Sequence, residues 1–209
     1  VEDEAPAPPD FQVRRLEEID AWQATNRRYA SIPFLTGQLP GRGGYNYNYD
    51  LMRFCRKAYV VADAARRFDG YLWWLDADVE ILEPIPPAVL YAQLDGMFSA
   101  YAGRDKRIMP HSELSVLGFD TTHEGAAAFF HKWQDLYDHG SVLALPGFHD
   151  CWAYDALIAD PGLPSNNFTA HVAGVDVMPA SPFGAFLVHH KGEQGKERLA
   201  ALHAGALAG

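Results

Sequence analysis

Apolar residues recur at three- and four-residue steps between positions 51 and 68. Leu51, Phe54, Cys55, Ala58, Val61, Ala62, Ala65 and Phe68 fall on one stripe, which predicts an amphipathic helix. The pattern then changes: residues 71 to 75, YLWWL, form an unbroken apolar run of strand length that ends on Asp76-Ala77-Asp78. Pro84, Pro86 and Pro87 break the chain, and PAVLYAQL reads as a helix because proline is tolerated at the first helical position. Residues 97 to 101 and 114 to 119 read as strands. A helix follows over residues 123 to 137, with Ala127, Phe130, Trp133 and Tyr137 on one face. Residues 150 to 159 predict another helix, 168 to 172 and 185 to 188 two strands, and 196 to 207 an Ala-rich terminal helix. Upstream, residues 11 to 24 hold a strand and a short helix, and the Gly-, Asn- and Tyr-rich stretch 32 to 49 is a loop. Strands alternating with helices predict α/β layers around a mixed sheet.

Composition narrows this picture. With 209 residues, 48% hydrophobic and 13% aromatic, the chain is long enough for one large domain over residues 1 to 209. A formal charge of −10 and the absence of any basic run disfavour nucleic acid as a partner. Cys55 and Cys151 stand far apart without a C-x-x-C pattern, so neither a disulfide framework nor a zinc site is indicated, and a reducing cytoplasm is the expected compartment. No stretch approaches the roughly 20 apolar residues of a transmembrane span. Asn167-Phe168-Thr169 fits a glycosylation sequon, a pattern too common by chance to carry weight.

The candidate chemistry starts at Asp76 and Asp78. Side chains two apart in an extended chain point the same way, so both carboxylates can reach one divalent cation, whose oxygen shell is completed by water and substrate phosphate. Two other readings compete: an acidic turn capping a core strand, and a phosphatase that uses D-x-D after a strand. Against the phosphatase, Asp76 lies well into the chain, and Glu80 stands where Thr or Val is usual. Arg53 and Lys57, four apart on the predicted helix, either present charge to a phosphate or form a solvated face. Arg104 and Lys106 leave the same two options open. Tyr45, Tyr47 and Tyr49 either stack on a base or sugar or simply cover the core.

The string YLWWLDADVEI resembles the D-x-D motif of nucleotide-sugar-dependent glycosyltransferases of the GT-A fold. VHHKGEQGKERL resembles the H-x-K-G segment of several such families, placing His189 as metal ligand, Lys191 on the diphosphate and Gly192 at the turn. His190 is a substitute for His189, and Lys196 a further phosphate contact one residue out of the commoner spacing. PHSELSVLGFD and FHDCWAYDAL resemble segments of bacterial polysaccharide-associated glycosyltransferases, and the likeness extends from residue 49 to 199. Ser115 and Val116 depart from that group's commoner Cys-Gly pattern.

The resemblance implies a GT-A mixed sheet flanked by helices. VEDEAPAPPD reads as a strand end and a proline-rich connection, so the opening strand-helix unit that holds the nucleobase is expected to be missing. It also implies a hexosyltransferase-like enzyme of polysaccharide or glycoconjugate synthesis, using Mn²⁺ or Mg²⁺, a nucleoside-diphosphate-sugar donor and a glycan or other hydroxyl acceptor. Asp78 and His189 would ligate the metal directly, with Asp76 shared between metal and ribose. Glu113 and His149-Asp150 would line the acceptor side, with Asp150 or Glu113 as base. Asp150 reads equally well as a helix N-cap. A domain that binds nucleotide sugars without turning them over is the alternative.

Overall fold

The computed structural model describes residues 14–38, 41, 44–192, 195 and 197. The strand end read at residues 1 to 10 lies outside them, as does the terminal helix read at 196 to 207 apart from Glu197. The chain divides into two compact units, Val1–Arg67 with Phe130–Ala153, and Phe68–Phe129 with Tyr154–Gly209.

The first unit is helical among its described residues. The stripe read from position 51 forms the helix α2 (Leu51–Ala65), after α1 (Asp20–Tyr29). The Asp50 carboxylate accepts the Arg53 N–H at 2.9 Å, which caps α2. Leu51, Met52, Cys55, Ala58, Tyr59, Val61 and Ala62 are buried along its inner face. Of the strand expected before α1, residues 11 to 13 lie outside the described residues, and the described ones form a 3₁₀ turn, Leu16–Glu18. Among the described residues of the stretch 32 to 49 there are two such turns, Pro33–Thr36 and Tyr47–Tyr49. A buried polar knot fixes the α1–α2 packing: the Tyr59 hydroxyl lies 2.7 Å from Thr25 Oγ1 and donates to Asp138 Oδ1 at 2.7 Å. Cys55 and Cys151 are both buried and not joined in a disulfide, and burial pushes the Cys55 thiol up to about 12.

The second unit is built on a mixed sheet in the order β1 (Tyr71–Leu75), β4 (Glu113–Asp120), β3 (Ser99–Ala102), β5 (Ser165–Asn167). β4 pairs antiparallel with β1 and with β3, and β3 pairs parallel with β5. β2 (Val79–Ile81) and β6 (Leu187–His189) form a separate antiparallel ribbon. The helix α3 (Pro87–Leu94) packs on β3 and β4. β4, central in the sheet, is buried over Glu113–Phe119, whereas β1 stands at an edge and is only half-buried, although its apolar run predicted a core strand. The strand expected over residues 168 to 172 does not form. Asn167 Oδ1 accepts the Thr169 N–H at 3.1 Å and turns the chain there, so β5 ends at Asn167. The core of this unit includes Leu94, Val116, Phe168, Met178, Phe183 and Leu187. The remaining helices are α4 (Ala126–Asp138) and α5 (Asp150–Ile158).

Candidate metal centre

Asp76 and Asp78 lie in the second unit, where the chain passes from β1 to β2. They do not sit in an extended strand: Val79 N–H donates to Asp76 C=O at 3.0 Å, closing a tight turn. Asp76 N–H is tied to Ser115 C=O at 2.9 Å, and Trp74 Nε1–H donates to Asp76 Oδ1 at 2.6 Å. The ribbon brings in the histidine from far along the chain, because β6 places His189 opposite Val79 and His190 N–H donates to Asp78 C=O at 2.9 Å. Asp76, Asp78 and His189 each offer a ligand atom, and these atoms lie within 4.8 Å of one another.

The donor set fits a divalent cation. Two ligands at about 2.1 Å and a right angle from an octahedral ion stand about 3 Å apart. His189 Nε2 lies 3.2 Å from Asp78 Oδ1. His189 Nδ1 is buried without a hydrogen-bond partner and faces Glu113 Oε1 at 3.8 Å. His190, the substitute ligand, is engaged elsewhere, with Nε2 2.8 Å from Glu80 Oε2.

Beside this cluster Lys191 Nζ contacts Glu113 Oε2 at 2.9 Å and Asp176 Oδ1 at 3.0 Å. Gly192 adopts φ of +72°, the left-handed region that a side chain disfavours, and this turns the chain after Lys191. Glu113, the first residue of β4, is 8% exposed at its side chain. Burial pushes its carboxyl up, but Arg104, Lys191 and His189 together more than reverse this and bring it down to about 2. Arg104 pairs with Glu113 and donates from Nε to Val175 C=O at 3.0 Å. It also lines a pocket of about 330 Å³ with Asn167, Thr169 and His171. Lys106 is held by Asp155 at 2.5 Å.

The other expected residues belong to the first unit. Lys57 and Asp150 are both buried and form an ion pair at 2.6 Å. Arg53, on the same helix, is exposed. Asp150 is the first residue of α5, and Trp152 N–H and Ala153 N–H donate to the His149 carbonyl, so the expected N-cap falls one residue earlier and the Asp150 carboxylate turns to Lys57. Tyr45 donates its hydroxyl to Asp50 at 2.7 Å, and the ring of Tyr49 lies 5.2 Å from that of Phe34.

Sequence reasoning missed the partners of Glu113. Arg104 lies nine residues away on the other side of the β3–β4 connection, and only the strand pairing joins them. It missed Asp176 and the Trp74–Asp76 hydrogen bond as well. The latter had a signal, a donor two residues from a D-x-D.

No family model matches the chain, and no curated protein matches it. A glycosyltransferase involved in the glycosylation of the major capsid of PBCV-1 aligns over 90% of this chain and 94% of its own at 14% identity, with a TM-score of 0.48. At that overlap the likeness assigns neither family nor activity. Among the described residues no helix is long and apolar enough to cross a membrane.

Proposed function

We propose that this chain is a metal-dependent glycosyltransferase that moves a sugar from a nucleoside-diphosphate sugar to an acceptor hydroxyl, with a glycan as the acceptor class. One observation carries the reading. Two carboxylates from the β1–β2 turn and an imidazole more than a hundred residues later converge within 4.8 Å, with a lysine two positions beyond the histidine. An acidic turn that only capped a strand would have no need of the histidine.

When bound, Mn²⁺ or Mg²⁺ supplies positive charge against the negative charge that builds on the departing diphosphate. The imidazole nitrogen in the donor set favours Mn²⁺ over the strictly oxygen-preferring Mg²⁺. In this reading Asp78 and His189 hold the ion directly, and Asp76, oriented by Trp74, is shared with the donor ribose. Lys191 binds the diphosphate, exchanging its contact with the exposed Asp176 for a phosphate oxygen. In transfer the acceptor oxygen bonds to the anomeric carbon, the bond from that carbon to the diphosphate breaks with its electron pair staying on the diphosphate, and the hydroxyl proton passes to a carboxylate. Lys57 is the buried ion-pair partner of Asp150 and not a phosphate contact, and the exposed cations of α2 are Arg53 and Arg56.

A thermal-shift screen of nucleotide sugars with and without Mn²⁺ identifies the donor, because a ligand that binds only the folded state raises apparent stability. Mn²⁺-dependent transfer or hydrolysis of that donor, lost in Asp78→Ala, supports the enzyme. Tight binding without turnover replaces it with a binding domain. Release of inorganic phosphate from an aryl phosphate replaces it with a phosphatase.

A further inference from the structure

Glu113 has both carboxylate oxygens engaged within the second unit. Oε1 accepts the Ser115 N–H at 3.2 Å and faces His189 Nδ1 at 3.8 Å. Oε2 takes Arg104 and, at 2.9 Å, Lys191 Nζ. Arg104 is itself anchored by the Val175 and Ser112 carbonyls at 3.0 and 3.4 Å, so the carboxylate is fixed from the sheet side and reaches outward to the segment 189–191. Neither oxygen is left to accept a proton from an acceptor hydroxyl. At the same time the buried Nδ1 of His189 lacks a hydrogen-bond partner. A metal-ligating histidine ordinarily donates its second ring nitrogen to a carboxylate or carbonyl, which sets the tautomer and aims the ligating nitrogen. Closing the gap to a normal N–H···O length of about 2.9 Å takes a ring movement of only about 1 Å.

We infer that Glu113 is a positioning residue and not the acceptor's base: Oε1 sets the tautomer and orientation of His189 so that Nε2 faces the cation, while Oε2 holds Lys191 beside it for the diphosphate. The inference rests on the metal-dependent reading above and deepens it. Arg104 is then the group that keeps a negative charge buried at this point, and the pocket wall it forms is tied mechanically to the metal ligand.

The test uses the full chain, freed of metal, with Mn²⁺ titrated in and the free ion followed by electron paramagnetic resonance, so that affinity is read without turnover. Glu113→Gln keeps the shape and removes the charge, and it should bind Mn²⁺ roughly 10- to 100-fold more weakly than wild type. Glu113→Asp should fall between the two. In nitrogen NMR spectra of the imidazoles, His189 should be the Nδ1–H tautomer in wild type and lose that preference in Glu113→Gln, a change that a purely structural role would not produce. Mn²⁺ affinity within about twofold of wild type, in a Glu113→Gln protein shown to be folded by circular dichroism, overturns the inference and leaves the metal reading standing. No Mn²⁺ binding by wild type overturns the metal reading, and the inference falls with it. If Glu113→Gln does not fold, Glu113→Asp decides: affinity unchanged from wild type overturns the inference, and weakened binding supports it.

Discussion

Asp78 separates a metal centre from an acidic turn. Its carboxylate meets His189 at 3.2 Å, so Asp78→Asn, nearly the same shape, should lower Mn²⁺-dependent sugar transfer by about two orders of magnitude while leaving the melting temperature of the metal-free protein within a few degrees. Steady-state assays with and without a chelator check this. Glu113 gives a second expectation, in pH. Its carboxyl sits at about 2 in the folded protein against an ordinary 4.5, so the folded value is the depressed one. The stability it contributes is therefore complete above about pH 4.5 and lost as pH falls towards 2. Urea melts of the metal-free protein should show a gap between wild type and Glu113→Gln that is constant from pH 7 to about 5 and closes near pH 2. At this scale the three residues that converge, Asp76, Asp78 and His189, were legible from sequence because each belongs to a short motif. The surroundings of Glu113 were not, because Arg104, Lys191 and His189 meet it only after β3, β4 and β6 are in place.

Elements were legible where periodicity is long and strong, as in α2. Asp50→Ala removes its cap and should cost about 1 kcal/mol in denaturant melts. Strand positions were less legible, since an apolar run does not say how many neighbours it will have. YLWWL reads as a core strand, yet β1 pairs only with β4 among the described strands. Its inner surface is made by an exchange of volume across the pair. Gly118 stands opposite Trp73, and a Cβ there would lie 2.8 Å from the indole ring. Gly118→Ala should therefore destabilise the protein by about 1–3 kcal/mol through overpacking. Because β1 leads directly into the Asp76 turn, Mn²⁺ affinity should fall with it, measured on the same sample. The expected strand at 168 to 172 failed for a local reason that hydropathy does not register: Asn167 Oδ1 accepts the Gly103 N–H at 2.8 Å, the donor just past β3 that a longer ladder would have used, and Ala170 N–H turns back to the Asn167 carbonyl.

For the molecule as a whole, a cation that binds only the folded chain must raise its stability. Mn²⁺ at about 100 times its dissociation constant should add roughly 2.7 kcal/mol, and a chelator should remove it. Melts with and without metal, with Asp78→Asn showing no difference, check the coupling. Composition indicated a chain large enough for a substantial core, but the division of its contacts into two compact units depends on pairings far apart in sequence and is not written in residue frequencies. That division gives the two cysteines an unforeseen use. Both belong to the helical unit and both are shielded, and burial holds the thiol of Cys55 near 12, so neither sulfur is open to a disulfide reagent while that unit is closed. The rate at which such a reagent colours the protein is thus a clock for the opening of one half of the chain, readable without any introduced label.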